Sequence, residues 1–171
     1  GDAGIYAMAG LVLELLMKMD EDQRPEFGGV IPGVSAMSAA AGLLGAPIMH
    51  DFAVISLSDL LTPWELIQER AELAAKGDFV TVLYNPRSHK RVGQIQAVQE
   101  IFLRERASET PVGIVTSASR EGENVVISTL GAFTKEDINM FSIVIIGNSK
   151  TKQNGQWMIT PRGYQKREPG L

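Results

Sequence analysis

The sequence predicts an α/β protein with a largely parallel or mixed sheet. Short runs of β-branched and aromatic residues alternate along the chain with longer segments whose apolar residues recur at helical spacing. Glycine and proline separate most of these segments. Such alternation favours a sheet covered by helices. With 171 residues, 44% of them hydrophobic, the chain is long enough for one sizeable core or two small lobes.

The amino-terminal part is predicted to hold two helices and one short strand. Apolar residues at helical spacing predict a mostly buried helix over residues 4–19. A strand is expected at 29–33, where proline and glycine end it. Ser35 is predicted to cap a second helix of small residues, and Gly45 to close it.

A lobe boundary is predicted at residues 47–51, between this part and the remainder of the chain. Residues 1–48 are therefore assigned to an amino-terminal α/β lobe and residues 49–171 to a carboxy-terminal α/β lobe. We find no internal repeat and no low-complexity segment that would suggest a different division.

The carboxy-terminal lobe is predicted to contain two helices among several strands. Thr62, followed by Pro63 and Glu65, is typical of a capped helix start, and Gly77 ends that helix. A second, longer helix is expected over 88–106, with Val92, Ile95, Val98 and Phe102 facing inward. The other predicted elements are strands at 52–57, 79–84, 112–116, 125–129 and 143–146, a helical turn at 134–137, and an edge strand around Trp157 and Ile159.

The composition excludes several kinds of chemistry. The chain has no cysteine, which excludes disulfides, thiolate nucleophiles and cysteine-bound metals. It has only 2 histidines, so we predict no metal site. A net charge of −4 predicts no general attraction to nucleic acid. The absence of disulfides fits the cytosol, and we expect a cytoplasmic protein.

No membrane segment is expected from the sequence. The longest apolar stretch, residues 5–17, contains Glu14 and is too short to span a bilayer. No basic segment precedes it, as a signal peptide would require. We therefore predict no membrane partner.

Three predicted strand-to-loop junctions end in glycine, proline or small polar residues, at 32–36, 84–88 and 147–149. In α/β sheets, ligands bind beyond the carboxyl ends of strands, where small residues let the backbone approach them closely. Each junction taken alone is more typical of a tight turn than of a ligand site. Three in one chain favour a shared ligand site.

Residues 87–91, Arg-Ser-His-Lys-Arg, place cations at the predicted start of a helix. Cations there oppose the helix dipole, at a cost of about 0.3–1 kcal/mol each, so they suggest a site for an anion. A solvated basic helix end is the alternative. We take Arg87 and Arg91 as candidate contacts for an anionic substrate, and Arg162 as a further one, although a free surface arginine is the more common explanation for Arg162 taken alone.

Candidates for proton transfer are His50, Asp51 and Asp59. Adjacent residues in an extended chain point to opposite faces, so His50 and Asp51 are not expected to contact each other. Asp59 is equally well explained as a turn residue before a helix. These patterns therefore assign no catalytic residue. No dinucleotide fingerprint or phosphate loop occurs, which argues against nicotinamide or ATP chemistry.

Two residue strings resemble motifs of the tetrapyrrole (corrin/porphyrin) methylases. Residues 1–9, Gly-Asp-Ala-Gly-Ile-Tyr-Ala-Met-Ala, resemble the family's Gly-Asp-Pro-Gly-Val-Tyr-Gly-Met-Ala signature. Residues 30–36 resemble its second cofactor loop. Ala3 and Ala7 stand where the family usually has proline and glycine, and both changes keep the side chains small.

Longer strings resemble one branch of that family, the precorrin-3B or cobalt-precorrin-3 carbon-17 methyltransferases. They lie at residues 50–64, 83–88, 146–149 and 160–164. The string at 50–64, His-Asp-Phe-Ala-Val-Ile-Ser-Leu-Ser-Asp-Leu-Leu-Thr-Pro-Trp, is the most specific of them. Together the matching strings extend over essentially the whole chain.

The resemblance implies the two-lobe tetrapyrrole methylase fold, with S-adenosylmethionine held in the cleft between the lobes. Family members begin with a further stretch that contains a first strand and a Gly-Pro-Gly loop, so we expect a fragment whose first lobe is incomplete. Carried over position by position, the implied cofactor contacts are Gly1, Asp2, Ile5, Ser35, Ala36, Tyr84, Asn85 and Ala118.

The implied activity is methylation of carbon 17 of (cobalt-)precorrin-3 with associated ring contraction, in cobalamin biosynthesis and by a homodimer. S-adenosylhomocysteine would be the product, and the protein would mainly align donor and acceptor. The peripheral carboxylates of the macrocycle give Arg87 and Arg91 a counterion role. Two alternatives remain: another enzyme of this fold, such as a diphthine synthase or ribosomal-RNA ribose methylase relative, and a non-catalytic cofactor- or tetrapyrrole-binding module.

Overall fold

The computed structural model describes residues 1–88 and 92–164, and it confirms the predicted α/β class. Its helices are α1 (Met8–Leu16), α2 (Ala36–Leu44), α3 (Trp64–Lys76) and α4 (Gln94–Leu103). Its strands are β1 (Gly45–Ala46), β2 (Phe52–Ser56), β3 (Val80–Tyr84), β4 (Pro111–Thr116), β5 (Asn124–Thr129), β6 (Ser142–Ile146), β7 (Lys152–Asn154) and β8 (Trp157–Ile159). The helical turn predicted at 134–137 is a 3-10 turn at Phe133–Lys135.

The main sheet has five strands in the order β2-β3-β6-β4-β5. Only β2 and β3 are parallel neighbours; the other three pairs are antiparallel, so the sheet is mixed. We call the edge that holds the carboxyl ends of β2, β3 and β4 the upper edge. The opposite edge, which holds the carboxyl end of β6, is the lower edge. Strand direction decides which loops can meet, because each loop belongs to one of these two edges.

Helices cover both faces of this sheet. On one face α3 and α4 pack through a buried cluster that includes Ile67 and Phe102. On the other face α2 packs through Ala40 and Leu44. Leu44 approaches the sheet so closely that a Cβ atom on Gly113 would lie 2.4 Å from its side chain. A glycine in β4 is therefore what lets α2 come this near.

Residues before the predicted lobe boundary share the core of the sheet. Helix α2 contacts β4, β5 and β6. Strand β1, directly after α2, pairs in parallel with β8 in a separate three-stranded sheet of order β1-β8-β7. The chain segments on either side of residue 48 are thus joined by packing and by backbone pairing. The division into lobes at 48 and 49 stays a prediction.

The predicted cap of α2 is confirmed. The Ser35 hydroxyl accepts a hydrogen bond from the Ser38 backbone N–H at 3.1 Å, and Ser35 itself is 4% exposed. Gly45 closes the helix with a φ of 113°, a left-handed value that favours glycine. The start of α2 is thereby fixed at the upper edge of the sheet.

Replacing Ser35 with alanine is expected to lower the free energy of unfolding by about 1 kcal/mol, because the Ser38 N–H loses its acceptor in a partly buried hydrogen bond. Thermal and urea unfolding measure this change. Ser38→Ala is the matched control, since it keeps the capped N–H and should cost less than half as much. Equal losses in the two variants would contradict a capping role for Ser35.

The amino-terminal helix differs from its prediction. Helix α1 is shorter than 4–19, and it was expected to be mostly buried, yet none of its residues is buried. Met8 and Leu15 are 64% and 54% exposed. The apolar spacing marks residues that need a partner surface, and the described part of the chain supplies none for them. The periodicity therefore predicted the helix correctly and its burial wrongly.

The strand predicted at 29–33 is also wrong. These residues have no regular secondary structure, and Ile31 is 89% exposed. A strand is held by hydrogen bonds to a neighbouring strand, and neither sheet of the described residues extends to this segment. Apolar β-branched residues alone were not enough to form one.

Helix α3 begins one residue later than the predicted cap requires. Pro63, not Thr62, is the residue before the helix, and no side-chain hydrogen bond caps it. The Pro63 carbonyl instead accepts from the N–H groups of Leu66 and Ile67, at 3.1 and 3.3 Å. The predicted capping box at Thr62 is therefore wrong, whereas the end of the helix at Gly77 is confirmed.

Helix α4 is much shorter than the predicted 88–106, because it runs only from Gln94 to Leu103. Arg87 therefore lies outside the helix, and the expected opposition between its charge and the helix dipole does not arise. Val92 was expected to face inward but is 45% exposed. The other residues predicted to face inward, Ile95, Val98 and Phe102, are fully buried.

A buried arginine holds the lower edge together. Arg106, 8% exposed, donates hydrogen bonds to the backbone carbonyls of Gly147, Phe79 and Ala74. Its Nε lies 3.7 Å from the Asp78 carboxylate, and its guanidinium lies 4.7 Å from the centre of the Phe102 ring. Burial lowers the pKa of Arg106, while the charge of Asp78 opposes that shift. One side chain thus links α3, β3 and the end of β6.

Candidate functional site

The upper edge of the main sheet carries a cavity of about 600 Å³. Its walls come from five parts of the chain: the amino terminus, the start of α2, the end of β3, the loop after β4 and the start of β6. The volume lies within the range of small-molecule sites. Most of the lining residues near α2 and β4 are small.

Five of the eight predicted cofactor positions line this cavity. They are Gly1, Ala36, Tyr84, Asn85 and Ala118. The other three are adjacent to it in the fold: Ser35 caps α2, Asp2 follows Gly1, and Ile5 packs against the buried cluster beneath α2. Residues separated by more than a hundred positions in sequence therefore come together at one place.

Asp2 ties the two amino-terminal loops together. Its carboxylate accepts from the Gly4 N–H at 2.7 Å and from the Gly33 N–H at 2.9 Å. These backbone hydrogen bonds, that from Gly33 first, lower the pKa of Asp2. Because the pKa is lowered, the stabilisation from these two hydrogen bonds is fully present above the ordinary carboxyl pKa. It is lost only as the pH falls through the lowered pKa. Asp2 is therefore ionised at neutral pH.

The two loops also touch through backbone atoms. A Cβ atom on Gly33 would lie 2.4 Å from the Gly1 carbonyl oxygen. Gly33 has no left-handed φ, so space and not backbone conformation demands glycine there. This close approach brings Gly1 to the wall of the cavity.

Tyr84 connects the end of β3 to the start of α2. Its hydroxyl accepts from the Met37 N–H at 3.0 Å, and its ring centre lies 5.2 Å from that of Tyr6. Tyr6 in turn donates to the Val54 carbonyl at 3.2 Å. Desolvation raises the pKa of Tyr6. The two rings join the amino-terminal loop, the sheet and α2 at the cavity.

Unusual backbone conformations surround the cavity. Non-glycine residues with left-handed φ are Tyr6 (49°), Asn85 (50°), Ser117 (53°) and Ser119 (58°), with Asp78 (54°) at the lower edge, among the described residues. Such conformations persist where surrounding contacts hold them, and they concentrate at functional sites. Four of the five lie at the upper edge, which favours it as the site.

The Asn85 side chain is held at the upper edge by neighbouring polar groups. Its Nδ2 donates to the Ser56 hydroxyl at 3.0 Å, and the Ser58 N–H donates to the same hydroxyl at 3.3 Å. Ser56 lies directly beside Tyr84 in the parallel pair. The loops after β2 and β3 are thus joined where they leave the sheet.

Sequence reasoning missed most of the loop after β4 and the residues before β6. Residues 117–121 and 140–143 line the cavity, and of these only Ala118 was predicted, through the resemblance alone. A signal was present: Ser-Ala-Ser after a buried strand, followed by Gly122, is the same kind of junction as the three that were singled out.

The third predicted junction does not reach this cavity. Residues 147–149 follow β6, which runs antiparallel to β3 and β4, so they lie at the lower edge. There Asn148 fixes a turn: its N–H donates to the Thr151 hydroxyl at 2.8 Å, and its side-chain oxygen accepts from the Lys150 N–H at 3.0 Å. The expectation of three loops around one site is wrong for this loop.

His50 and Asp51 lie beyond the amino end of β2, at the lower edge. Contrary to expectation they contact each other, with His50 Nδ1 3.5 Å from Asp51 Oδ2 and 2.8 Å from the Asp51 N. The expectation assumed an extended chain, whereas His50 lies in a bend. The five residues of β2, roughly 16 Å at 3.3 Å each, separate this pair from the cavity edge.

The remaining predicted residues have different positions. Asp59 lies in the loop after β2, and its Oδ2 accepts from Gln94 Nε2 at 3.1 Å. Arg87 is half-buried and follows Asn85 at the upper edge. Arg91 lies outside the described residues. Arg162 is exposed and follows Thr160, whose hydroxyl lies 2.7 Å from that of Thr151 at the lower edge.

Two kinds of feature are absent from residues 1–88 and 92–164. Over that part of the chain no helix has the length and hydropathy needed to cross a bilayer. The same residues contain no group of three or more histidine, aspartate or glutamate side chains arranged to hold a metal ion.

The sheet topology and the cavity at its upper edge define the class: an α/β protein with a cavity of small-molecule size between strand ends and a helix start. Residues 1–134 match the family described as Tetrapyrrole (Corrin/Porphyrin) Methylases. The chain belongs to this family, which confirms the resemblance in its motifs. S-adenosylmethionine is the methyl donor that tetrapyrrole methylases use.

Individual relatives agree with this assignment. The chain is 51% identical over 170 residues to a cobalt-factor III methyltransferase of Priestia megaterium, covering 98% of this chain and 31% of that protein. It is 50% identical over 164 residues to a probable cobalt-factor III C(17)-methyltransferase of Salmonella typhimurium, covering 96% and 67%. The crystal structure of the methyltransferase CobJ superposes with a TM-score of 0.87 at 37% identity, covering 94% and 67%. The predicted tetrapyrrole methylase fold is thereby confirmed.

Proposed function

We propose that this chain forms the donor- and acceptor-binding part of an S-adenosylmethionine-dependent methyltransferase. It would methylate carbon 17 of a cobalt-factor III or precorrin-3 macrocycle, with associated ring contraction, in cobalamin biosynthesis. The relatives named above support the reaction, although the chain spans only 31% of the first of them and 67% of the second. The observation that carries the proposal is the single cavity lined by Gly1, Ala36, Tyr84, Asn85 and Ala118.

The cavity suits a donor that is bound largely through backbone groups. Gly1, Ala36 and Ala118 offer little side chain, so their peptide groups are accessible to a ligand. Asp2 and Ser35 can affect donor binding without contacting the donor. Asp2 bonds the loop at Gly33, and Ser35 caps the helix that follows this loop, so both hold one wall of the cavity. Ile5 packs behind that wall.

S-adenosylmethionine supplies an activated methyl group on a sulfonium. The protein's own contribution would then be to align donor and acceptor and to exclude water, which together account for much of the acceleration in such reactions. The packed start of α2 and the joined Tyr6 and Tyr84 rings make one side of the cavity rigid. This arrangement supports an alignment role without a nucleophilic side chain.

Binding of S-adenosylhomocysteine tests the donor site directly. Isothermal titration of the 171-residue chain should show one site per chain. The Salmonella relative, titrated in parallel, is the positive control. Binding by that relative with none by this chain would reject the donor site for this chain as it stands. Transfer of a labelled methyl group to the precorrin-3 class of substrate then tests the reaction.

The basic segment after β3 is proposed to bind the macrocycle. The double variant Arg87→Ala with Arg91→Ala is expected to weaken macrocycle binding about tenfold, because two charge-assisted contacts to carboxylates are lost. Affinity for S-adenosylhomocysteine should change by less than a factor of two. Fluorescence titration of the macrocycle and calorimetry of the donor product measure the two effects. Equal loss of both affinities, or no loss of either, would contradict the assignment.

Arg162 is the weaker substrate candidate, because it follows Thr160 at the lower edge and not at the cavity. Asp59 is the proton-transfer candidate whose position favours a role, since its loop leaves β2 at the upper edge. The separation of His50 and Asp51 from that edge argues against them.

The proposal also extends to organisation and location. We keep residues 1–48 and 49–171 as parts of two lobes of one chain. Two copies of the protein would form a homodimer in the cytoplasm. The absence of cysteine and the family's habit of pairing support this description. Light scattering after size exclusion measures the assembly, and a mass of a single chain at micromolar concentration would reject the dimer.

A further inference from the structure

The loop after β4 presents one arginine at the mouth of the cavity on a fixed backbone. The Arg120 N–H donates to the Ser117 carbonyl at 2.9 Å, and the Arg120 carbonyl accepts from the Glu123 N–H at 3.1 Å. The Ser119 N–H donates to the Glu123 carboxylate at 2.6 Å, which closes the loop. Two successive turns therefore meet at Arg120 and hold its Cα in place.

The Arg120 side chain, by contrast, is available. Arg120 is exposed and lines the cavity. The ion pairs found among the described residues join Asp51, Glu72 and Asp78 to other cations. Glu123, an acid in the same loop, already bonds the Ser119 N–H. Arg120 thus carries a positive charge on a backbone held by two turns, and it has no acidic partner in the described part of the chain. This arrangement favours binding of an anion.

An apolar rim faces the same mouth. Met140 and Phe141 line the cavity and are 56% and 71% exposed. The Phe141 backbone is fixed at both ends: its N–H donates to Asn139 Oδ1 at 2.9 Å, and its carbonyl accepts from the Ser117 N–H at 3.1 Å. That second bond joins the rim to the arginine loop. Exposed apolar residues beside a cavity mouth are typical of a ligand contact.

We propose that Arg120 binds a carboxylate on the periphery of the acceptor macrocycle, while Met140 and Phe141 cover the edge of its ring. This assignment rests on the proposed function. A flat, apolar ring bordered by carboxylates matches an apolar rim next to a guanidinium. A guanidinium binds a carboxylate through two parallel hydrogen bonds. Two hydrogen bonds already hold the Phe141 backbone, so binding of the ring does not have to order it.

The position of Arg120 complements that of Arg87. The two residues follow the carboxyl ends of β4 and β3, and β6 lies between those strands. Two strand spacings separate the strand ends by about 10 Å. Arg87 does not itself line the cavity, but cations beyond these two strand ends would hold the macrocycle at two points and so restrict its rotation over the donor.

Uroporphyrin III, a porphyrin with carboxylates on all its peripheral side chains, is a stable probe for this site. Arg120→Gln should weaken its binding about fivefold at low salt, and Arg120→Lys should recover part of the loss. The difference between wild type and Arg120→Gln should shrink at high ionic strength, since exposed charges are screened. Arg104→Gln, which removes an exposed arginine that does not line this cavity, is the matched control and should not weaken binding.

Calorimetry with S-adenosylhomocysteine separates this proposal from the donor site. Arg120→Gln should leave that affinity within a factor of two. An equal loss for both ligands would overturn the proposal, because Arg120 would then contact the carboxylate of the donor. Unchanged uroporphyrin binding in Arg120→Gln would overturn it as well. Wild type that binds S-adenosylhomocysteine but no uroporphyrin would overturn this inference alone, whereas failure to bind S-adenosylhomocysteine would overturn the proposed function.

Discussion

Replacing Arg106 with methionine is expected to lower the free energy of unfolding by about 3 kcal/mol. Methionine keeps an unbranched stem beside Phe102 but removes the guanidinium. The Gly147 carbonyl then loses its donor in a buried place, and Asp78 loses the cation beside it. The other two carbonyls contribute less to this loss because each keeps a second donor. The Ala74 carbonyl still accepts from the Phe79 N–H, and the Phe79 carbonyl still accepts from the Thr81 hydroxyl. Urea unfolding followed by circular dichroism measures the change.

Arg104→Met is the matched control for this variant. Arg104 lies two residues away, and its side chain is 65% exposed and pairs with Glu72 at 3.7 Å. An exposed pair of this kind contributes under about 1 kcal/mol. Similar destabilisation in both variants would mean that Arg106 acts through general charge or helix propensity and does not link the lower edge.

Replacing Gly33 with alanine is expected to reduce affinity for S-adenosylhomocysteine at least about tenfold, or roughly 1.4 kcal/mol. The added methyl would lie 2.4 Å from the Gly1 carbonyl oxygen, which belongs to backbone and cannot rotate away. The loop at residues 1–4 must therefore move, which stretches the bond from the Gly33 N–H to Asp2. Calorimetry measures the affinity, and urea unfolding should show only a small change because Gly1 and Gly33 are exposed.

Gly28→Ala is the control for that substitution. It adds the same methyl group five residues earlier, where nothing lies within 4 Å and φ is not left-handed. Its affinity for S-adenosylhomocysteine should match that of wild type within a factor of two. An unchanged affinity in Gly33→Ala would show that the contact between Gly1 and Gly33 does not shape the donor wall.

Local patterns predicted the elements well where residues adjacent in sequence determine the structure. Ser35 and Gly45 delimit α2 as expected, since a cap depends on residues next to each other in sequence. The buried runs at β3 and β6 are strands because β-branched and apolar residues there are covered on both faces. Boundaries were less predictable: α4 starts at Gln94, six residues later than its apolar spacing suggested.

The family motifs predicted more residues of the candidate site than the physical patterns did. Resemblance to the family singled out Gly1, Ala36 and Ala118, because their side chains by themselves do not indicate a ligand site. Arg120, Met140 and Phe141 were missed, because an exposed arginine or an apolar pair after a strand is common in any sequence. Only their position at the mouth of the cavity distinguishes them.

By itself the sequence determined the α/β class, the family, and the residues that form the wall of the cavity near α2 and β3. Only the tertiary structure decided which loops share an edge. Strand β6 runs against its neighbours, so residues 147–149 lie at the lower edge while the loop after β4 joins the cavity. Strand direction follows from long-range hydrogen bonding between strands, and short-range residue patterns do not encode it. The same holds for α1, whose apolar spacing predicts a helix but cannot supply the surface that would bury it.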